Sequence, residues 1–101
     1  MFMSAYVYVL RSLRNGRYYI GSTDNLLRRY HHHQAGHVHT TARMLPVMVE
    51  GWKQFDSLLE ARQSERSLKK NKSRASVEQW LAESQTTDDR SRVEQLRKLA
   101  E

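Results

Sequence analysis

Four of the chain's five tyrosines, Tyr6, Tyr8, Tyr18 and Tyr19, crowd into a short N-terminal stretch. Arg29 and His33 follow, spaced one helical turn apart, and a lone acid, Glu65, stands among Leu58, Ala61 and Leu68 at helical spacing. Phenols and imidazoles can pass protons, and a guanidinium offers a rigid fork of donors that matches a phosphate. A carboxylate inside an apolar stripe must find a partner, a metal ion or partial exposure. The remaining candidates offer less. His31, His32 and His33 are successive residues, and helical neighbours project 100° apart, so they cannot converge on one ion. His37 and His39 lie on one side of an extended stretch but lack a third ligand, which fits a phosphate contact or no role better than zinc. The absence of cysteine removes disulfides, thiolate metal sites and thiol nucleophiles.

These side chains need a scaffold, and the sequence describes one. Tyr6-Val7-Tyr8-Val9-Leu10 is a β-branched and aromatic run without alternation, which predicts a strand covered on both faces. Asn15-Gly16 separates it from Arg17-Tyr18-Tyr19-Ile20-Gly21, so the two strands form an antiparallel hairpin. Asp24 is placed to cap a helix over 25–35 that Gly36 ends, with Leu26, Leu27, Tyr30 and Gln34 on one face and Arg29 and His33 at its edge. Arg28 and His32 point elsewhere. Residues 36–44 read as a loop, and Leu45 to Phe55, with Pro46 near its start, as a third strand. Ser57-Leu58-Leu59-Glu60 has capping-box spacing and opens a helix to about Asn71. Ser76-Val77-Glu78-Gln79 repeats that spacing and predicts a shorter helix with Val77, Trp80 and Leu81 facing inward.

The chain of 101 residues, 39% hydrophobic and 28% charged, suffices for one modest core. The expected organisation is one α/β (α+β) domain over 1–85, a three-stranded antiparallel sheet flanked by helices. A tail over 86–101, with a weak Val93, Leu96 and Leu99 stripe, is expected to be a loosely docked or frayed helix, or a contact for a protein partner or a second copy. No apolar run approaches a membrane span, and no leader pattern opens the chain, so a cytoplasmic location is expected. The formal charge is +6, and residues 1–85 carry all of that excess. A small basic domain suits a polyanionic partner.

One pattern orders these pieces. Tyr6-Val7-Tyr8, then Tyr19-Ile20-Gly21, then Gly21-Ser22-Thr23-Asp24-Asn25-Leu26-Leu27-Arg28-Arg29, then His33, then the segment from Leu59 to Lys70 resemble, in order and at matching intervals, the GIY-YIG nuclease superfamily, most closely its short stand-alone bacterial members of the URI type. The second triplet matches letter for letter; the first matches at its tyrosine, with Tyr6 where the family often has glycine. Longer members carry an asparagine well beyond the glutamate. Here only Asn71 is available, too early to match, so this branch works without it, or acts more weakly, or relies on a partner.

The resemblance implies a metal-dependent endonuclease that hydrolyses DNA phosphodiester bonds, in repair or recombination, with DNA preferred over RNA. Its site would comprise Tyr8, Tyr19, Arg29, His33 and Glu65. Glu65 would hold one Mg²⁺ or Mn²⁺, a hard ion content with one carboxylate plus waters and substrate oxygens. Arg29 would clamp the scissile phosphate. Tyr8 would activate water, with Tyr19 orienting it, which requires a phenol pKa lowered from its ordinary value near 10. His33 would shuttle the proton or position a water. Arg28, Arg62, Arg66, Lys69 and Lys70, continued by Lys72 and Arg74, would hold the nucleic-acid backbone without reading bases. The alternative is a non-catalytic nucleic-acid-binding module with the same fold and charge.

Overall fold

The computed structural model describes residues 4–71 and 73–84; the predicted tail over 86–101, and Lys72 of the basic stretch, lie outside the described residues. The elements are β1 (Ala5–Ser12), β2 (Tyr18–Thr23), α1 (Leu26–Gln34), α2 (His39–Ala42), β3 (Val47–Phe55), α3 (Leu58–Lys70) and α4 (Arg74–Ser84). The strands form one antiparallel sheet in the order β2-β1-β3, so the architecture is the expected α+β sheet with helices.

β1 lies at the centre and sends alternate side chains to opposite faces, as a strand must. Tyr8 and Leu10 pack with Leu26, Tyr30, Met44, Val47, Val49 and Trp52 on the α1 side. Ala5, Val7 and Val9 pack with Ile20, Ala61, Leu68, Val77 and Leu81 on the side of α3 and α4. Both faces of β1 are thus covered, which is why its sequence does not alternate. A bulge between Val9 and Leu10 shifts the register against β3.

The hairpin forms as predicted, but through a longer connection than a two-residue turn. Ser12 N–H donates to Arg17 O at 2.8 Å, and the Ser12 hydroxyl accepts from the N–H groups of Arg14 and Asn15. Only Gly16 takes a positive φ, of 75°, a conformation that costs glycine nothing. Gly36, at φ 78°, follows α1 in the same way.

Several local expectations need correction. The N-cap of α1 is Asn25, whose side chain accepts from Arg28 N–H, while Asp24 forms an exposed pair with Arg28 at 3.4 Å. Leu27 does not join the inner face and is exposed, since it follows Leu26 by 100° around the helix and Leu26 and Tyr30 are the residues that α1 turns to the core. The stretch 36–44 is not all loop, since His39–Ala42 makes a turn of helix. β3 begins at Val47, two residues later than expected, after the cis Leu45-Pro46 peptide. Ser57 caps α3 as its spacing predicted. α4 starts at Arg74 and not at Ser76, because the Ser73 hydroxyl captures Ser76 N–H at 3.1 Å.

Candidate active site

The site is built around the absence of one side chain. Tyr8 on β1 sits directly opposite Gly21 on β2, and its ring lies across that glycine toward the sheet edge. A methyl group at position 21 would overlap the Tyr8 hydroxyl and come within 2.6 Å of the adjacent ring carbon. Glycine there is what lets a tyrosine from the central strand present its hydroxyl at the edge.

The hydroxyl is surrounded by the residues that the sequence singled out. Tyr8 Oη lies 2.8 Å from His33 Nε2 and 3.4 Å from Arg29 Nε, which donates to it. Tyr19 completes the cluster, its ring centroid 5.0 Å from that of His33 and 6.3 Å from that of Tyr8. Arg29 and His33 converge because they are one turn apart on α1, whose Leu26 and Tyr30 anchor it to the sheet. Tyr6 and Tyr18 remain outside the cluster and pack against the two halves of the core.

His33 is fully buried, and what supports it is a residue no sequence pattern points to. Thr41 on α2, also fully buried, places its hydroxyl 2.7 Å from His33 Nδ1 and 3.4 Å from Val38 O. A threonine hydroxyl has one proton. Donated to Val38 O, it leaves the oxygen to accept from Nδ1–H, so that Nε2 is the acceptor for the Tyr8 proton. Tyr8 Oη then donates to His33 and accepts from Arg29. Burial, helped by the Arg29 charge, pushes His33 down to about 4, which keeps the imidazole neutral in this arrangement.

Burial acts on Tyr8 in the opposite sense to the expectation. Its phenol is pushed up to about 12, mainly by loss of water and only partly offset by Arg29. A free tyrosinate is therefore not how this residue would act. The same interactions raise the affinity of Arg29 for its proton, first through the bond to Tyr8.

Glu65 reaches the site from the other side of the sheet. It projects from α3, which packs on β2, and one of its oxygens accepts from the Ser22 hydroxyl while the other pairs with Lys69 Nζ at 2.6 Å. Its charge is close enough to disfavour ionisation of Tyr8. The site is therefore not on one sheet face, as expected, but wraps the edge of β2. Tyr8, Tyr19, Arg29 and His33 come from one side and Glu65 from the other. No group of three or more His, Cys, Asp or Glu that could hold a metal ion gathers among the described residues.

Beside this edge lies a groove of about 520 Å³, lined by Ser22, Arg28, Arg29, His32 and Arg62 among others. It unites two of the expected backbone-binding residues, Arg28 and Arg62, with Arg29. Arg66 and Lys70 are exposed further along α3, and Lys69 turns back onto Glu65 instead of facing solvent alone. The His37 ring lies beside that of His32, tilted to it by 50°, with centroids 5.9 Å apart. No helix among the described residues is long and apolar enough to cross a membrane.

The fold agrees with what comparison finds. Residues 4–78 match the GIY-YIG catalytic domain. A UPF0213 protein of Streptococcus pneumoniae serotype 4 (strain ATCC BAA-334 / TIGR4) is 42% identical over 83 residues, a span covering 80% of this chain and 81% of that protein. The match spans the hairpin, α1 and α3 together, and with them every residue of the cluster, so the chain belongs to the GIY-YIG family of the nuclease superfamily.

Proposed function

We propose that the protein is a metal-dependent endonuclease that hydrolyses phosphodiester bonds in DNA, with Tyr8, Tyr19, Arg29, His33 and Glu65 as its working residues and a setting in repair or recombination. The observation that carries this reading is the Tyr8 hydroxyl, held at the sheet edge between an arginine donor and a neutral histidine acceptor.

That arrangement can take a proton from water without forming a tyrosinate. Tyr8 Oη keeps a lone pair that neither partner uses. As water loses a proton to that oxygen, the phenol's own proton passes to His33 Nε2, and the hydroxide oxygen forms its bond to phosphorus. The imidazolium then returns the proton through Tyr8 to the departing alkoxide. A bound phosphodiester brings negative charge beside the pair, which favours the imidazolium in the transient state. Arg29, through its terminal nitrogens, would hold the phosphoryl oxygens. Tyr19 packs its ring on His33 and fixes the ring plane. Thr41 acts through His33 by holding its tautomer and so is a positioning residue.

Glu65 fits a hard divalent ion such as Mg²⁺ or Mn²⁺, because such ions accept one carboxylate and complete their shell with water and substrate oxygens. When bound, the ion supplies charge neutralisation for the phosphoryl group and the leaving alkoxide. Arg28, Arg62, Arg66, Lys69 and Lys70 would hold neighbouring phosphates. One observation favours the non-catalytic reading, namely that Glu65 is already satisfied by Ser22 and Lys69. Incubation with plasmid, branched and single-stranded DNA and with RNA, in Mg²⁺, Mn²⁺ or EDTA, separates the two. Cutting that depends on the ion is the expected result. Cutting that persists in EDTA would overturn the metal assignment, and binding without cutting under every condition would establish the module.

A further inference from the structure

A second cleft, of about 610 Å³, opens on the other side of Tyr19. Three separate parts of the chain supply its charged lining: Arg17 from the hairpin connection, Arg43 from the turn after α2, and Lys69 from α3. Asn15 and Thr40 add neutral polar groups, and no aspartate or glutamate lines it. Arg17 and Arg43 are exposed, and neither has a carboxylate partner among the described residues. By contrast, Arg11, Arg28 and Arg74 each pair with an acid. Unpaired cations gathered on a concave surface repel one another and attract an anion.

The position of the cleft says which anion. Tyr19 is both its wall and a member of the cluster around the Tyr8 hydroxyl, so the cleft adjoins the cluster in which Arg29 would hold a phosphate. The cleft borders β2 at Tyr18, Tyr19 and Ile20, whereas the groove with Arg28, Arg29 and Arg62 borders it at Ser22 and Thr23, so the two follow one another along the β2 edge. A polyanion with regularly repeated charges, running along that edge, meets cations before and after Arg29. We infer that the cleft holds the sugar-phosphate backbone on one side of the scissile bond, with Arg17 and Arg43 as its phosphate contacts. The inference rests on the nuclease reading for what lies at Arg29, but its binding claim stands on the charges alone. Such contacts fix the position of a strand without reading its bases.

The test is binding of a fluorescein-labelled DNA duplex, followed by anisotropy in EDTA across a salt series. Arg17→Ala/Arg43→Ala is compared with Arg14→Ala/Lys53→Ala, which removes the same charge from exposed positions outside the cleft. Loss of two phosphate contacts should lower the slope of log affinity against log salt by about two and weaken binding roughly 10- to 100-fold at low salt. The control pair should leave the slope near that of the parent. Equal effects from both pairs, or an unchanged slope in the cleft pair, would overturn the inference. A protein that never cuts yet shows the cleft-specific slope change would sink the nuclease reading and keep the cleft. Normal cleavage and an unchanged slope in the cleft pair would do the reverse.

Discussion

The two faces of the sheet share one strand and do opposite work with it. Ala5, Val7 and Val9 of β1 enter an apolar cluster against α3 and α4. Tyr8, one residue out of phase, enters a face where burial encloses a phenol, an imidazole and a threonine hydroxyl bonded in series. On the first face burial drives folding directly. On the second it would be costly without partners, and every buried side-chain nitrogen and oxygen among the described residues has one. The polar face is therefore as closely specified as the apolar one, but by complementarity of donors and acceptors instead of volume.

Substitutions on the two faces should separate accordingly. Tyr8→Phe removes the hydroxyl through which the proton would pass, and cleavage should fall about 10²- to 10⁴-fold. It also leaves His33 Nε2 buried without a donor, at a cost of about 1–3 kcal/mol. Val9→Ala on the apolar face should cost roughly 2–3 kcal/mol in stability, while the folded fraction cuts within a few-fold of the parent rate. Denaturant melts paired with single-turnover cleavage give both numbers. An equal loss of cleavage in the two variants would mean that the faces act as one unit.

Gly21→Ala probes the junction. The added methyl displaces the Tyr8 ring from the edge, and cleavage should drop at least about tenfold with a changed tyrosine signal in near-ultraviolet circular dichroism. Parent-like cleavage and an unchanged signal would show that the ring position is not what matters.

The polar face should also make stability depend on pH. The unfolded chain protonates His33 near 6.5, whereas the folded protein resists until about 4. Between those values the unfolded state binds the extra proton, so stability falls as pH drops from 6.5 toward 4, by roughly 3 kcal/mol in all. His33→Gln should flatten that part of the curve in urea melts. A parallel decline in the parent and the variant would place His33 in a more solvated setting than its burial implies.

The elements legible in the sequence were those with local causes. Asn15-Gly16 announced the hairpin, Ser57 announced the start of α3, and one-turn spacing brought Arg29 and His33 together. Glu65 stood out because a carboxylate in an apolar stripe needs a reason. What escaped was set by contacts distant in sequence. α2 is a single turn with no period to detect, and Thr41 is recognisable only once His33 is known to sit against it. The upward shift of Tyr8 follows from burial among residues of α1, β2 and β3 and the Met44-Leu45 segment, which the expectation of a lowered phenol pKa did not include. Arg17 and Arg43 are far apart in sequence and meet only around the cleft.

In the proposed function Glu65 serves a metal ion and a phosphodiester, and not the stability of the fold. Its side chain is 19% exposed; an isosteric amide keeps its one carbonyl oxygen as acceptor for Ser22 and loses the bond to Lys69, whose half-exposed ammonium turns to water. Thermal melting and Mg²⁺- or Mn²⁺-dependent cleavage, measured on the same preparation of Glu65→Gln, test the claim directly. The expected result is a stability change within about 1 kcal/mol together with loss of cleavage by about 10²-fold or more. A variant that cuts at the parent rate, or one that loses about 3–5 kcal/mol and cuts only in proportion to its folded fraction, would contradict it.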